Sequence, residues 1–207
     1  MGFDAEEIER LLALMRWRRD VRHFRPDPVA EAAIERLRTA VALAPSVGNS
    51  RPWRVVRVED PGLRAAVRDD FARCNAEAAA AEPEERRDAY ARLKLAGLEA
   101  APLQLAVFCL EDPGAGHGLG RRTMPETLRQ SAAMAIFALW LAARAQNLGL
   151  GMVSILDPAR VEALLGMPED WRFVAWLCIG HPAFEDDLPL LHRVDWQENA
   201  EPDWVTL

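Results

Sequence analysis

An α+β sandwich built on a central sheet is the fold class this sequence predicts, on three observations. Four runs of strand length and composition are separated by stretches of helical periodicity. Helices and strands are mixed along the chain rather than alternating as regular βα units. No repeat and no Gly- or Ser-rich linker divides the 207 residues, half of which are hydrophobic, so residues 1–207 form a single domain able to bury a core.

Taken in order, Ile8, Leu11, Leu12 and Met15 recur at helical spacing and predict a first helix that ends at "RRDVRHF", Arg18 to Phe24, and delivers it to the edge of the core. In "RPDPVAEAAIERLRTAVALAPS" Asp27 can cap and Pro28 suits a first turn. Ile34, Leu37 and Val41 then make the buried stripe up to Pro45. "WRVVRVED", Trp53 to Asp60, is short and valine-rich and predicts a strand. Leu63, Val67, Phe71 and Cys74 mark another helix, and the charged, alanine-rich stretch Glu77 to Asp88 leads into "AYARLKLAGLEAAP", a helical run ending before Pro102. "LQLAVFCL", Leu103 to Leu110, is a continuous apolar run of strand length, followed by the glycine-rich loop "EDPGAGHGLGRR". The apolar helix around Ser131 to Ala143 is too short for a membrane span of ~20 residues and reads as core or subunit interface. Gly149 stops it, and a strand runs on to Ile155. Asp157 and Pro158 open a short helix that Gly166 closes, and "WRFVAWLCIGHP" is the last strand. The tail from Ala183 has no periodicity, yet keeps Trp196 and Trp204, which suggests an arm packed on a partner subunit.

Bulk charge excludes some functions. A net charge of -7 gives no general field for nucleic acid or an anionic membrane, so any phosphate site must be local. Cys74, Cys109 and Cys178 form no CxxC pair, and the acidic, amphipathic N-terminus lacks the basic and then apolar pattern of a signal peptide. A reducing cytoplasm is therefore expected. His23, His117, His181 and His192 show no ligand spacing, so no metal is expected. The glycines of "GAGHGLG" do not lead from a strand into a helix as a dinucleotide fingerprint does.

Two segments can carry chemistry. Arg18, Arg19 and Arg22 crowd around Asp20. Guanidinium groups hold phosphate bidentately at any working pH, but the same residues also suit a solvated helix end. "APSVGNSRPW" places Ser46, Asn49 and Ser50 around a permissive Gly48, which suits a polar heterocycle or ribityl chain and equally a capping turn.

Together, in this order and at this separation, the two segments resemble the nitroreductase-like flavoprotein family. The resemblance continues through "YARLKLAGLEAAP", "RRTMPETLRQSAAMAIFALWLAARAQNLGLGMVSIL" and "GHP". It implies a dimer with an exchanged C-terminal arm, a central mixed sheet flanked by helices, and FMN held at the subunit interface. Arg18, Arg19, Asp20, Val21 and Arg22 would hold its phosphate or ribityl chain, and Ser46, Asn49 and Ser50 would reach it from the other side. Leu93 and Lys94 would lie in a lid, Gly151 and Ser154 near the isoalloxazine, and Arg193 would be a late phosphate ligand. Aspartate at position 20, where many ordinary members carry serine, is similar to the branch that destroys its flavin. There reduced FMN and O2 are consumed to make 5,6-dimethylbenzimidazole, the lower ligand of cobalamin, with a separate flavin reductase as supplier. In that branch Asp20 is the expected acid-base group and Ser154 its hydrogen-bonding companion. Two residues depart from the pattern: Arg51 stands where glutamine is usual, and Met152 where tryptophan is common, a thioether that fills space but donates no hydrogen bond. The alternatives are an NAD(P)H-dependent nitro- or quinone-type reductase on the same fold, or a flavin-binding protein of the cobalamin pathway without activity.

Overall fold

The computed structural model describes residues 2–93 and 97–206. The helices are α1 (Ala5–Trp17), α2 (Glu31–Leu43), α3 (Pro61–Ala81), α4 (Glu84–Arg92), α5 (Thr127–Arg144), α6 (Pro158–Leu165) and α7 (Leu190–Arg193). The strands are β1 (Trp53–Arg57), β2 (Leu103–Leu110), β3 (Gly149–Val153) and β4 (Trp171–Gly180), in the order β1-β2-β4-β3. All three strand pairings are antiparallel, so the sheet is mixed only where Asp20 forms an isolated parallel bridge to Leu150 on β3.

Every residue of β2 is buried, because a central strand covered on both faces has no use for polar alternation. One face packs against α2 and α5 through Ile34, Leu37, Leu105, Leu139 and Leu177. The other packs around Trp176 and Phe108 with Val67 of α3 and Val161 of α6. Trp176 can be fully buried there because its indole N–H donates to Gln104 Oε1 at 3.1 Å.

Several boundaries differ from the sequence reading. α2 starts at Glu31 rather than at Pro28, since Asp27 pairs with Arg25 at 3.2 Å instead of capping, and Ala30 stands at the cap. β1 stops at Arg57, and Asp60 accepts from the Leu63 amide at the head of α3. The helical run after Tyr90 ends at Arg92, and Gly97, with φ of 151°, belongs to the turn before β2. α6 lies as expected: Asp157 accepts from the Ala159 and Arg160 amides, and Gly166 closes the helix with φ of 61°.

The first helix is the largest surprise. α1 has a capping box between Asp4 and Glu7, but none of its residues is buried; Ile8, Leu11, Leu12 and Met15 turn their apolar stripe outward. Met134 and Phe137 of α5 are also exposed, opposite the stripe that α5 buries. In the tail, Trp196 packs edge-on to Tyr90 and under Arg86, 4.4 Å from its ring centroid, so that part returns onto its own chain, while Trp204 is exposed.

Candidate active site

The RRDVRHF segment is pinned on both sides by main chain. The Val21 amide donates to Leu150 O at 3.0 Å, which lays the segment along the free side of β3. His23 O accepts from the Ala183 amide, and the Arg25 amide donates to His181 O, so the far end is fastened to the chain leaving β4. Glycines permit the first contact: a Cβ at Gly151 would stand 2.2 Å from Val21 O, and one at Gly149 would stand 2.8 Å from the Val21 side chain. Gly151, expected near a flavin ring, thus has a packing reason of its own.

Asp20 is held at both oxygens. Oδ2 accepts from Arg22 Nε at 2.8 Å, and Oδ1 accepts from the Met152 amide at 2.9 Å. Its side chain keeps 31% exposure and faces two clefts that share the wall Asp20–Arg22. The first, of about 210 Å³, runs from Arg19 and His23 past Arg144 and Phe184 to Arg193. The second, of about 140 Å³, is lined by Phe71, Gly97, Met152, Ser154 and Cys178. Neither alone reaches the roughly 300–1,000 Å³ of a small-molecule site, but together they do.

The cation cluster has unmet demand. Arg18 Nε, Arg19 Nε and Arg22 Nη1 are buried without a hydrogen-bond partner among the described residues. Burial pulls the Arg18 guanidinium below its usual range, helped by the charge of Arg19 and opposed by Asp20; burial also lowers Arg19, opposed by Asp187. Orphaned guanidinium donors are costly, and a phosphate monoester is the group that satisfies them with the best geometry. Arg18 itself lies outside both clefts, stacked over Trp140 at 4.7 Å from its centroid. Arg193 lines the first cleft with Arg19 and Arg22, although the chain end gives no motif to locate it.

The serine turn lies elsewhere. Its backbone is anchored by Ser131, whose hydroxyl accepts from the Val47 amide at 3.0 Å and donates to Thr127 O. Gly48 crosses the glycine-rich loop at Gly116, where a Cβ on Gly116 would stand 2.8 Å from Gly48 O. Ser46 Oγ accepts from the Arg51 amide, Asn49 is exposed, and Ser50 Oγ is buried without a partner among the described residues. The arginine segment meets α5 at Trp140, whose indole N–H donates to Arg19 O at 3.2 Å. Trp140 lies about nine residues beyond Ser131, roughly 13 Å along the helix at ~1.5 Å per residue. One chain therefore does not bring Ser46, Asn49 and Ser50 to Asp20. Leu93 is buried at the end of α4 and lines neither cleft, and Lys94 lies outside the described residues.

Sequence reasoning missed Phe71, Cys178 and Arg144 as wall residues. Phe71 carried only a helical periodicity signal and Cys178 only the absence of a CxxC partner, while Arg144 lies just past the apolar run that ends at Ala143. Burial pushes the Cys178 thiol up to about 12, with the Asp20 carboxylate adding to the effect, so this cysteine is an inert wall and not a nucleophile. Among the described residues no group of His, Cys, Asp and Glu is placed to hold a metal, and no helix is long and apolar enough to cross a membrane.

A four-stranded α+β core with an arginine cluster laid against the edge of its sheet defines the class: the chain belongs to the nitroreductase family, whose profile matches residues 15–181. The 5,6-dimethylbenzimidazole synthase of Rhodobacter capsulatus is 62% identical over 204 residues, covering 99% of both chains, and the Rhodospirillum rubrum protein of that name is 60% identical over 195 residues, covering 94% of this chain and 92% of its own. The fold is also that of iodotyrosine deiodinase in complex with FMN and 3-iodo-L-tyrosine, with a TM-score of 0.74 at 22% identity, covering 95% of this chain and 97% of the other.

Proposed function

We propose that the chain is a 5,6-dimethylbenzimidazole synthase, consuming reduced FMN and O2 in a reducing, cytoplasmic setting. The observation that carries the reading is Asp20, fixed by Arg22 and the Met152 amide at the junction of two clefts, beside guanidinium donors that have no partner among the described residues. The near full-length identity to proteins of that name supports it. Bound reduced FMN would supply both the electrons for O2 and the carbon skeleton of the product.

The chain's own residues bind, orient and move protons. Arg19, Arg22 and Arg193 would take the phosphate in the first cleft, with Arg18 backing them from its stack on Trp140. Gly151 lets the main chain pass close to Val21 at the second cleft, where Phe71 and Met152 offer apolar wall to a bound ring. Asp20 would take a proton on Oδ2 and return it, because Arg22 can keep its other donors on the phosphate while Met152 N holds Oδ1 in place. The Ser154 hydroxyl has no hydrogen-bond partner among the described residues and faces the same cleft, which suits it to donate to the flavin ring.

Two copies complete the site in this reading. The turn of Ser46, Asn49 and Ser50 lies too far from Asp20 in its own chain, and Ser50 Oγ has no partner among the described residues. The outward stripes of α1 and α5 supply apolar surface for a homodimer. The exposed segment 197–206, with Trp204, is long enough to cross to a partner as the exchanged arm. A separate flavin reductase would deliver reduced FMN.

The test is anaerobic loading with chemically reduced FMN, admission of air, and chromatography for 5,6-dimethylbenzimidazole. Return of intact oxidised FMN alone would sink the reading in favour of an ordinary flavin reductase. Light scattering giving a stable monomer would remove the shared site.

A further inference from the structure

Three consecutive carboxylates, Glu185, Asp186 and Asp187, follow β4; the first two line the first cleft, and the proposed reaction uses none of the three. Each acts on a different arginine of that cleft. Glu185 Oε1 accepts from Arg144 Nη1 at 2.9 Å, and the Arg144 side chain is only 16% exposed. Asp186 Oδ2 is paired with Arg193 Nη1, while its Oδ1 accepts from the Leu188 amide at 2.9 Å, which fixes the carboxylate toward the arginine. The charge of Asp187 supports Arg19 against burial. With Asp20 on Arg22, three of the four arginines that line this cleft among the described residues are paired with a carboxylate of the chain itself.

An arginine cluster without such partners would hold a phosphate dianion very tightly, as resident cofactors are held. A flavin that is consumed must instead enter anew at every turnover. We propose that Asp186 and Glu185 compete with the flavin phosphate for Arg193 and Arg144, weakening its hold so that FMN exchanges as a substrate. The inference rests on the reading of this cleft as the phosphate end of a flavin site. The anion it concerns is a phosphate dianion, whether the monoester of FMN or free inorganic phosphate.

Equilibrium titration of the full-length protein with oxidised FMN, with riboflavin, and with inorganic phosphate as competitor against FMN tests it. Asp186→Asn keeps an acceptor for the Leu188 amide and removes the charge. The FMN Kd should fall roughly five- to tenfold, as expected for freeing a partly exposed guanidinium. Riboflavin affinity should stay unchanged, and inorganic phosphate should compete at lower concentration. Glu185→Gln should shift FMN in the same direction and decides the matter if Asp186→Asn does not fold. FMN affinity unchanged or weaker in the variants overturns the proposal, as does equal tightening of riboflavin. A parent protein that binds neither flavin overturns the functional reading as well, whereas a parent that binds FMN with variants that do not differ from it overturns only the competition.

Discussion

Replacing Asp20 by Asn separates chemistry from scaffolding at the centre of the site. The amide oxygen can still accept from the Met152 amide, which is 2.9 Å from Oδ1, but the ion pair with Arg22 is lost. That pair is 31% exposed on the aspartate side and 16% on the arginine side, so solvent screens part of it. A charge-assisted bond discounted for this exposure contributes about 1–2 kcal/mol. At ~2–4 °C per kcal/mol for a chain of this size, Tm should fall by about 2–8 °C, leaving the protein folded at room temperature. FMN should remain bound, because the change removes a negative charge beside the arginines. Formation of 5,6-dimethylbenzimidazole after admission of air should drop by about 10²–10⁴-fold, the usual contribution of a positioned acid-base group, with oxidised FMN recovered instead. Product at the parental rate, or loss of FMN binding, would refute the argument and reduce Asp20 to a structural ion-pair partner of Arg22.

Other outcomes follow from the same geometry. Gly151→Ala forces a methyl within 2.2 Å of Val21 O, so the segment must lift from β3; the expected cost is about 2–3 kcal/mol, read in a thermal melt, with a weaker FMN Kd in the same protein. Leu12→Glu and Phe137→Glu alter side chains that are exposed in the single chain, so circular dichroism should not change, while light scattering should show a dimer becoming a monomer. Cys178 gives a pH effect of definite sign. Its folded thiol is held up to about 12 against ~8.5 in the unfolded chain, so the stabilisation is complete below about pH 8.5 and is lost as pH rises toward 12. Between pH 9 and 10 the parent should lose about 1 kcal/mol more than Cys178→Ala in urea unfolding, and parallel curves would show that the thiol ionises freely in the fold.

Legibility from sequence followed local chemistry. β2 could be read to its last residue because seven apolar positions out of eight admit few alternatives, and α6 because Asp157, Pro158 and Gly166 punctuate it. The arginine segment was legible as a cation cluster but not its mounting, which is main chain to main chain along β3 and leaves no side-chain signature except Gly149 and Gly151. The outward face of α1 was hidden for a different reason: periodicity marks an apolar stripe, not the chain that covers it. Asp27 was misread because a capping residue and an ion-pair partner of Arg25 look alike in one dimension. The roles of Glu185 and Asp186 depend on contacts about 41 residues back to Arg144 and a few residues forward to Arg193, and no spacing rule announces either.

β3 is the outermost strand of the sheet, and its free side is the kind of template on which a foreign chain can add itself. Asp20 and Val21 sit on it, with only a two-residue contact and the Asp20 carboxylate across the Met152 amide. The residues assigned to chemistry are thus also the stopper that ends the sheet. A variant that frees this segment from β3 would do more than lose turnover: it would bare a sticky edge, and the fraction of such a protein recovered as aggregate should rise above that of the parent.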